Sequence, residues 1–188
     1  MKNNSIVSAL KNAQDSKVIV SIHSNPANQS ACSVGYVDQI TKNKVRLYSV
    51  SPEGEHDGYE IRDINDVYRI DWGGKYEKKM ELLKNNFGNI YFESKLSNAI
   101  EDDDLILTTL KEAKDKNLIV EVWTEDQDNS IIGYVESAST KEVRILSIDE
   151  YGQEDGFILI TFASIADIDC DTRKCQQMKY LHAKLKSS

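Results

Sequence analysis

Length, composition and charge restrict what this chain can be. It has 188 residues, of which 40% are hydrophobic and 29% charged, with nine glycines and two prolines. This composition is typical of a folded globular protein and argues against long disordered tracts. No apolar run approaches the ~20 residues that cross a bilayer, and the N-terminus shows no secretory signal pattern. We therefore predict a soluble cytoplasmic protein whose three cysteines are reduced.

The net charge of −8 is unevenly distributed along the chain. Residues 1–87 carry 12 Lys+Arg against 11 Asp+Glu, a net of +1, whereas residues 88–188 carry 11 against 20, a net of −9. Binding to a nucleic-acid backbone requires concentrated positive potential. The second half is therefore a poor candidate for that role, and the first half offers one basic cluster, at Lys75, Lys78, Lys79 and Lys84.

A helix is predicted at each end of the first half. Asn4 suits the N-cap of the first helix, because its side-chain oxygen can accept from a free backbone N–H group. The second helix follows the last predicted strand. Apolar residues recur at helical spacing in both, which indicates one buried face for each helix. These residues are Ile6, Leu10 and Ala13 in the first helix, and Tyr76, Met80, Leu83 and Phe87 in the second.

The segments between these helices are predicted to form a strand meander. Residues 17–23, KVIVSIH, are rich in β-formers, and GYVDQITKNKVRLYSV from Gly35 forms two strands around the polar turn TKNK. A second turn carries Gly54 and Asp57-Gly58, since glycine supplies positive φ without steric cost. GYEIR and DVYRID then form two more strands, with only DIN between them for a tight turn.

The second half repeats the first. GYV begins at positions 35 and 133, VR at 45 and 143, DG at 57 and 155, and ID at 70 and 168, all 98 residues apart. Upstream the offset is 100, because the loop SNPANQSACS contains two extra residues. Asp104 takes the N-cap position, and Met178, Leu181 and Leu185 mark the apolar face of the final helix. This ordered self-similarity predicts an internal duplication.

The predicted fold class is mainly β with flanking helices (α+β). Each copy has a helix, five short strands and a second helix, and a meander of that size is expected to close into a small barrel that removes its edges. We predict a first domain over 1–87, a connector over 88–103 and a second domain over 104–188. The connector contains Ile90, Tyr91 and Phe92, so we expect it to pack rather than act as a free tether.

Four stretches resemble the Sm-like (LSM) family of bent SH3-like barrels: GYVDQITKNKVRLYSV, GYVESASTKEVRILSI, IRDINDVYRID and LITFASIADID. The last two are similar to that family's final hairpin, in which a very short helical turn joins two strands. The resemblance implies ring assembly and binding of single-stranded, uridine-rich RNA. The family's RNA-contact positions fall on Asp38, Asn43 and Arg62 of the first copy. Tyr36 and Tyr134, after the shared glycine, are candidate base-stacking platforms or packing residues.

Charged residues at matching positions predict internal ion pairs. An arginine lies on the third strand of each copy, where a buried charge needs a partner. We expect one structural Arg–carboxylate pair in each copy, with a ligand-binding pair as the alternative. The residues concerned are Arg46, Asp57 and Asp71 in the first copy, and Arg144, Asp155 and Asp169 in the second.

Histidines and cysteines are the remaining candidates for chemistry. His23, His56 and His182 do not recur between the copies, and we interpret them as surface or edge residues because no nucleophile–base–orienter set accompanies them. Cys170 and Cys175 lack the spacing and further ligands of a zinc site, so they are predicted to be core residues. No metal or cofactor site is predicted.

The sequence favours a non-catalytic interaction protein that binds a protein partner or a second copy of itself. The alternative is a single-stranded RNA-binding protein that uses the first domain and its basic helix. An enzyme ranks last, because no phosphate loop, metal motif or catalytic triad is present.

Overall fold

The computed structural model describes residues 4–28, 31–52, 54–87, 95–97, 100, 104–124 and 130–186, and their side chains except at Asn4, Asn86 and Phe87. The described residues are mainly β with flanking helices, as predicted. The chain divides into two compact units, Met1–Ser94 (unit 1) and Lys95–Ser188 (unit 2). The division falls within the predicted connector. Most of the connector lies outside the described residues, but Leu96 is buried, and the Ser97 backbone N–H donates to the Glu112 carboxylate at 2.8 Å.

Unit 1 contains one antiparallel sheet of five strands with a helix before and after it. The strand order is β5-β1-β2-β3-β4, so each strand pairs with its neighbour in sequence except β5, which returns to β1. The elements are α1 (Asn4–Ser16), β1 (Ile19–His23), β2 (Ser33–Ile40), β3 (Lys44–Val50), β4 (His56–Asp63), β5 (Arg69–Trp72) and α2 (Lys75–Phe87).

Unit 2 has the same order of elements. Its five antiparallel strands are arranged β10-β6-β7-β8-β9, and Asp104 caps the first helix by accepting from the Leu107 N–H at 3.0 Å. The elements are α3 (Leu105–Asp115), β6 (Ile119–Thr124), β7 (Ser130–Ala138), β8 (Glu142–Ile148), β9 (Glu154–Thr161), a 3-10 helix (Phe162–Ser164), β10 (Ile165–Cys170) and α4 (Arg173–Lys186). The 3-10 helix is the short helical turn expected before the last strand.

Matching irregularities occur at matching positions in the two sheets. The β2–β3 register shifts between Val37 and Gln39, and the β7–β8 register shifts between Val135 and Ser137. A second register shift occurs at Gly58 in the β3–β4 pairing and at Gly156 in the β8–β9 pairing. Both glycines have positive φ. Bulges bend a sheet at defined points, so the two sheets bend at the same places.

Three expectations about local structure are wrong. Neither sheet closes: among the described residues, β4 does not pair with β5, nor β9 with β10. The reason is that helices cover the two faces of the unit 1 sheet. Leu10 of α1 packs in a cluster with Val20 and Leu47, and Met80 of α2 packs in another with Ile19. Closure is therefore not needed to bury both faces.

The other two corrections concern turn and helix residues. Asp57-Gly58 and its counterpart Asp155-Gly156 lie within β4 and β9, because the chain reverses earlier, at Gly54 and Gly152. In α4 the buried face is formed by Cys175, Met178 and His182. Leu181 and Leu185 are 40% and 49% exposed, so the predicted apolar face was rotated by about one position.

Gly133 is required by close approach of two strands. A methyl group there would overlap the carbonyl oxygen of Leu146 on β8, whereas a methyl group at Gly156 would meet no atom within 4 Å, although φ is +76°. We expect Gly133→Ala to lower the free energy of unfolding by about 3 kcal/mol through overpacking, and Gly156→Ala by about 1 kcal/mol through backbone strain alone. Urea denaturation of both variants tests this; equal losses would contradict it.

Candidate functional site

The most distinctive surface of the molecule lies on β8 and β9 in unit 2. Arg144 pairs in register with Leu159, and Leu146 with Phe157, so these side chains share one face of the sheet. Phe157 is 56% exposed and Leu159 is 61% exposed. The Arg144 guanidinium lies 4.2 Å from the centroid of the Phe157 ring. We call Arg144, Phe157 and Leu159 the β9 surface.

The equivalent residues of unit 1 are buried. At an offset of 98, Arg144, Phe157 and Leu159 correspond to Arg46, Tyr59 and Ile61. Those three residues are 0%, 5% and 0% exposed, and the Arg46 guanidinium again lies over the aromatic ring, at 5.4 Å. The three equivalent positions carry an arginine, an aromatic and an aliphatic residue in both units, but these residues are buried at the unit 1 positions and exposed at the unit 2 positions.

The outer edge of β9 is also open. β9 hydrogen-bonds to β8, and no described strand pairs with its other side. β5 in unit 1 is similar, since β1 is its only described neighbour. An open strand edge presents unpaired N–H and C=O groups that can pair with another chain. The β9 surface thus combines exposed apolar side chains with an available backbone edge.

The residues that the Sm-like resemblance implies for RNA contact are mostly engaged within unit 1. The Asp38 carboxylate accepts from Arg46 Nε at 2.5 Å. Arg62 donates to Glu60 at 2.7 Å and to the Ser33 hydroxyl at 3.0 Å. Asn43 has an exposed side chain, and its backbone carbonyl accepts from Ile64. These contacts hold the sheet and its turns together.

Tyr36 and Tyr134 each pack against a buried cluster. Tyr36 is half-buried against the cluster that contains Met80, and burial together with Glu81 raises its pKa above the usual value for tyrosine. Tyr134 packs in the cluster that contains Met178, and burial raises its pKa as well. Both rings are half-buried, and Tyr134 also lines a groove with Lys179 and Lys186.

The basic cluster on α2 is only partly available. Lys75, Lys78 and Lys79 are exposed. Lys84 is half-buried, lies 5.3 Å from the centroid of the Tyr48 ring and donates to the Tyr48 hydroxyl at 3.3 Å. Tyr76, predicted on the buried face of this helix, is 43% exposed, so that part of the prediction is wrong. Sequence reasoning missed Trp72, which is 60% exposed and lines one groove with Tyr76, Arg69 and Lys75. The only indication in the sequence that Trp72 and Tyr76 would lie together was their spacing of four residues across the Gly73-Gly74 turn.

The predicted Arg–carboxylate pairs are only partly correct. Arg46 does form an ion pair with a carboxylate, that of Asp38. In unit 2 the position of Asp38 is taken by Glu136, which is exposed, and Arg144 contacts Phe157 instead of Asp155 or Asp169. Asp71 binds Arg69 and His23, and the hydrogen bond from Arg69 is the main cause of its lowered pKa.

All three histidines are buried, so their interpretation as surface or edge residues is wrong. His23, His56 and His182 are 6%, 3% and 8% exposed. His23 Nε2 lies 3.1 Å from Asp71 Oδ2, His56 stacks on Tyr48 at 3.9 Å, and His182 Nδ1 lies 2.9 Å from the Gly152 carbonyl oxygen. Buried rings held in this way are poorly placed to exchange protons with a substrate.

Each unit has a buried carboxylate where a helix packs on the sheet. The carboxylate belongs to the helix in unit 1 and to the strand in unit 2. In unit 1, Glu77 of α2 accepts from the Ser21 hydroxyl at 2.7 Å. In unit 2, Glu121 of β6 occupies the Ser21 position and accepts from Ser130 at 2.5 Å and Lys174 at 2.9 Å. Cys175 occupies the Glu77 position, and burial raises its thiol pKa to about 12. That thiol is not a nucleophile at neutral pH.

The described residues contain no group of three or more His, Cys, Asp or Glu side chains that could hold a metal ion. No helix among them is long and apolar enough to cross a membrane. No protein-family model, curated protein or solved structure gives a significant match to this chain.

The Arg46–Asp38 pair has a natural control in unit 2. Asp38→Ala removes a carboxylate from a fully buried guanidinium, so we expect the free energy of unfolding to fall by about 2 kcal/mol. Glu136→Ala, at the exposed equivalent position, should change it by less than about 0.5 kcal/mol. Chemical denaturation of both variants measures the difference. Similar values for the two would show that the buried pair does not stabilise unit 1.

Proposed function

We propose that this protein is a non-catalytic interaction protein that self-associates through the β9 surface. The observation that carries the proposal is the contrast between exposed Phe157 and Leu159 and their buried counterparts, Tyr59 and Ile61. Exposed aromatic and aliphatic side chains that adjoin each other are typical of protein-interaction sites.

Charge and geometry at the β9 surface agree with this function. Arg144 and Phe157 form a cation–π pair, and arginine and aromatic residues are enriched where interfaces contribute most binding energy. The open edge of β9 offers backbone groups beside these side chains. The matching strand orders, bulges and helices of the two units support our further proposal that they derive from one duplicated Sm-like domain, a family in which self-association is common.

Leu159→Lys should weaken self-association. A lysine at this position places a charge in an apolar contact, so we expect the mass in solution, measured by light scattering, to fall towards that of one chain at concentrations where the native protein is associated. Leu159 is exposed, so the free energy of unfolding should change little.

Thr140→Lys is the matched control, because it adds the same charge to the exposed β7–β8 turn. The control should keep the native mass. If Leu159→Lys also keeps it, or if the native protein is a monomer at all concentrations, the β9 surface is not a self-association site.

Binding of single-stranded RNA is a second candidate, and one specific observation favours it. Trp72 and Tyr76 are exposed and line a groove of about 450 Å³ with Lys75, and Lys78 and Lys79 follow on the same helix. Aromatic rings beside cations form stacking platforms for unpaired bases. This site is separate from the Asp38, Asn43 and Arg62 set that the family resemblance implies.

The chain contains two tryptophans, which permits a direct test of this candidate. In a Trp123→Phe background, Trp72 is the only indole, and stacking of a base should quench its fluorescence when oligo-uridine is added at low salt. Lys78→Glu combined with Lys79→Glu should reduce the affinity at least tenfold and flatten its salt dependence. Unchanged fluorescence at high oligonucleotide concentration would rule out this groove.

A further inference from the structure

Unit 2 contains a groove between helix α4 and strands β7 and β8. Its volume is about 380 Å³, which falls within the roughly 300–1,000 Å³ range of small-molecule sites. The strand side includes Tyr134 and Leu146, which pair across β7 and β8, and the helix side includes Lys179, His182 and Lys186. Aromatic, aliphatic and basic side chains therefore meet in one space.

The same place in unit 1 is occupied by the aromatic ring of Tyr48. Its centroid lies 6.5 Å from the centroid of the Tyr36 ring. Lys84 of α2 lies 5.3 Å from the same centroid and donates to the Tyr48 hydroxyl at 3.3 Å. His56 stacks on the ring at 3.9 Å. The Tyr48 ring is therefore held on several sides by strand and helix residues of its own unit.

Unit 2 carries Leu146 at the position of Tyr48. Leucine has no ring, so this position contributes less bulk to the space between helix and sheet. His182 Nδ1 lies 2.9 Å from the Gly152 carbonyl oxygen, which holds the imidazole at the β8–β9 turn. The residues that line the groove beside Leu146 are the counterparts, at the offset of 98, of those that surround the Tyr48 ring: Tyr134 matches Tyr36, and His182 matches Lys84.

Lys179 is the cation available to a ligand in this groove. It is half-buried, and its Nζ donates to the Asn117 backbone carbonyl at 2.6 Å, which uses one of its three hydrogens. Within the part of the chain that the structure describes, no carboxylate pairs with it. Tyr134 adds a hydroxyl that keeps its hydrogen at neutral pH, because burial raises its pKa. The groove therefore offers donors to a negatively charged group.

Lys186 and Glu136 also line the groove and carry charge. Lys186 pairs with Glu154 at 2.7 Å, so its charge is already balanced. Glu136 is exposed and repels an anion. Removal of the Glu136 charge and removal of the Lys179 charge should therefore change the affinity for an anion in opposite directions.

We propose that this groove binds a small aromatic anion, in which a six-membered ring carries a carboxylate or a phosphate. The ring lies against Leu146 and beside Tyr134, the place that the Tyr48 ring takes in unit 1, where aromatic and aliphatic contacts favour it. The anionic group accepts from Lys179 in a charge-assisted hydrogen bond. This site goes beyond the proposed self-association and does not depend on it.

Calorimetric titration of the full chain at low salt with three probes tests the ligand class. The probes are para-hydroxybenzoate, phenyl phosphate and the uncharged para-hydroxybenzamide. At least one anion should bind about tenfold more tightly than the amide, because a hydrogen bond to a charged group contributes about that factor. The tighter anion identifies the carboxylate or the phosphate as the preferred group. Absence of binding by both anions, or equal binding of the amide, would overturn the proposal.

Variants of the lining residues locate the site. Leu146→Tyr introduces the residue that unit 1 accommodates at this position, so it should fill the groove and abolish binding of the anion. Lys179→Gln should weaken binding about tenfold, and Glu136→Gln should strengthen it. Lys141→Gln is the matched control, because it removes the same charge from the exposed β7–β8 turn outside the groove, and it should leave the affinity unchanged.

Circular dichroism and the unfolding midpoint establish that each variant is folded. Lys179→Gln tests the site independently of Leu146→Tyr, since it adds no bulk between helix and sheet. If a folded Leu146→Tyr binds the anion as well as the native protein does, or if Lys179→Gln and Lys141→Gln have equal affinities, the anion does not bind in this groove. Either result leaves the self-association through the β9 surface to be judged by its own variants.

Discussion

Strand β1 of unit 1 is buried on both faces, and the architecture of that unit follows from this. All five residues of β1 are buried, so apolar side chains project from both sides of the strand. Val20 and Ile22 join the cluster under α1, while Ile19 joins the cluster under α2. A strand of this kind cannot lie in an open sheet with one wet face. Two helices, one from each end of the unit, supply the cover that the sheet lacks.

Because the strand is covered by a helix, every polar side chain on the helix-facing side is buried and needs a hydrogen-bond partner. Ser21 and Glu121 occupy the same position, and a carboxylate buried there must be matched by donors, since burial of an unpaired charge is costly. Unit 1 places its carboxylate on the helix and a hydroxyl on the strand; unit 2 places its carboxylate on the strand and a thiol on the helix. Both solutions keep one small and one acidic residue at the contact, so neither position could change alone without leaving a gap or crowding two charges together.

Much of the scaffold was predictable, because it depends on local pattern and on self-comparison. Periodicity located the helices and strands, and the Asp104 cap is set by its own neighbours. Closure was not predictable, because an apolar pattern on both faces of a strand cannot distinguish a barrel from a sheet between two helices. The Asp57-Gly58 error has a similar origin: Asp-Gly is as suitable for a bulge with positive φ as for a turn, and only the pairing partner distinguishes them.

The candidate site was less accessible to sequence reasoning, because it depends on which of two equivalent surfaces is covered. Arg144 was identified, but for the wrong reason, and Phe157 and Leu159 read as ordinary strand residues. Their sequence alone gives no sign of exposure, since Tyr59 and Ile61 show the same pattern and are buried.

Exposure of Phe157 and Leu159 is not explained by the needs of unit 2 itself. Strand β9 would pair with β8 equally well with threonine or lysine on this face, and burial of a leucine or phenylalanine contributes about 2 kcal/mol that an exposed side chain forgoes. Large exposed apolar residues are also an aggregation hazard on an open edge. Unit 2 nevertheless keeps such residues at positions whose counterparts in unit 1, Tyr59 and Ile61, are buried, and this contrast is the reason for proposing that the β9 surface is an interaction site.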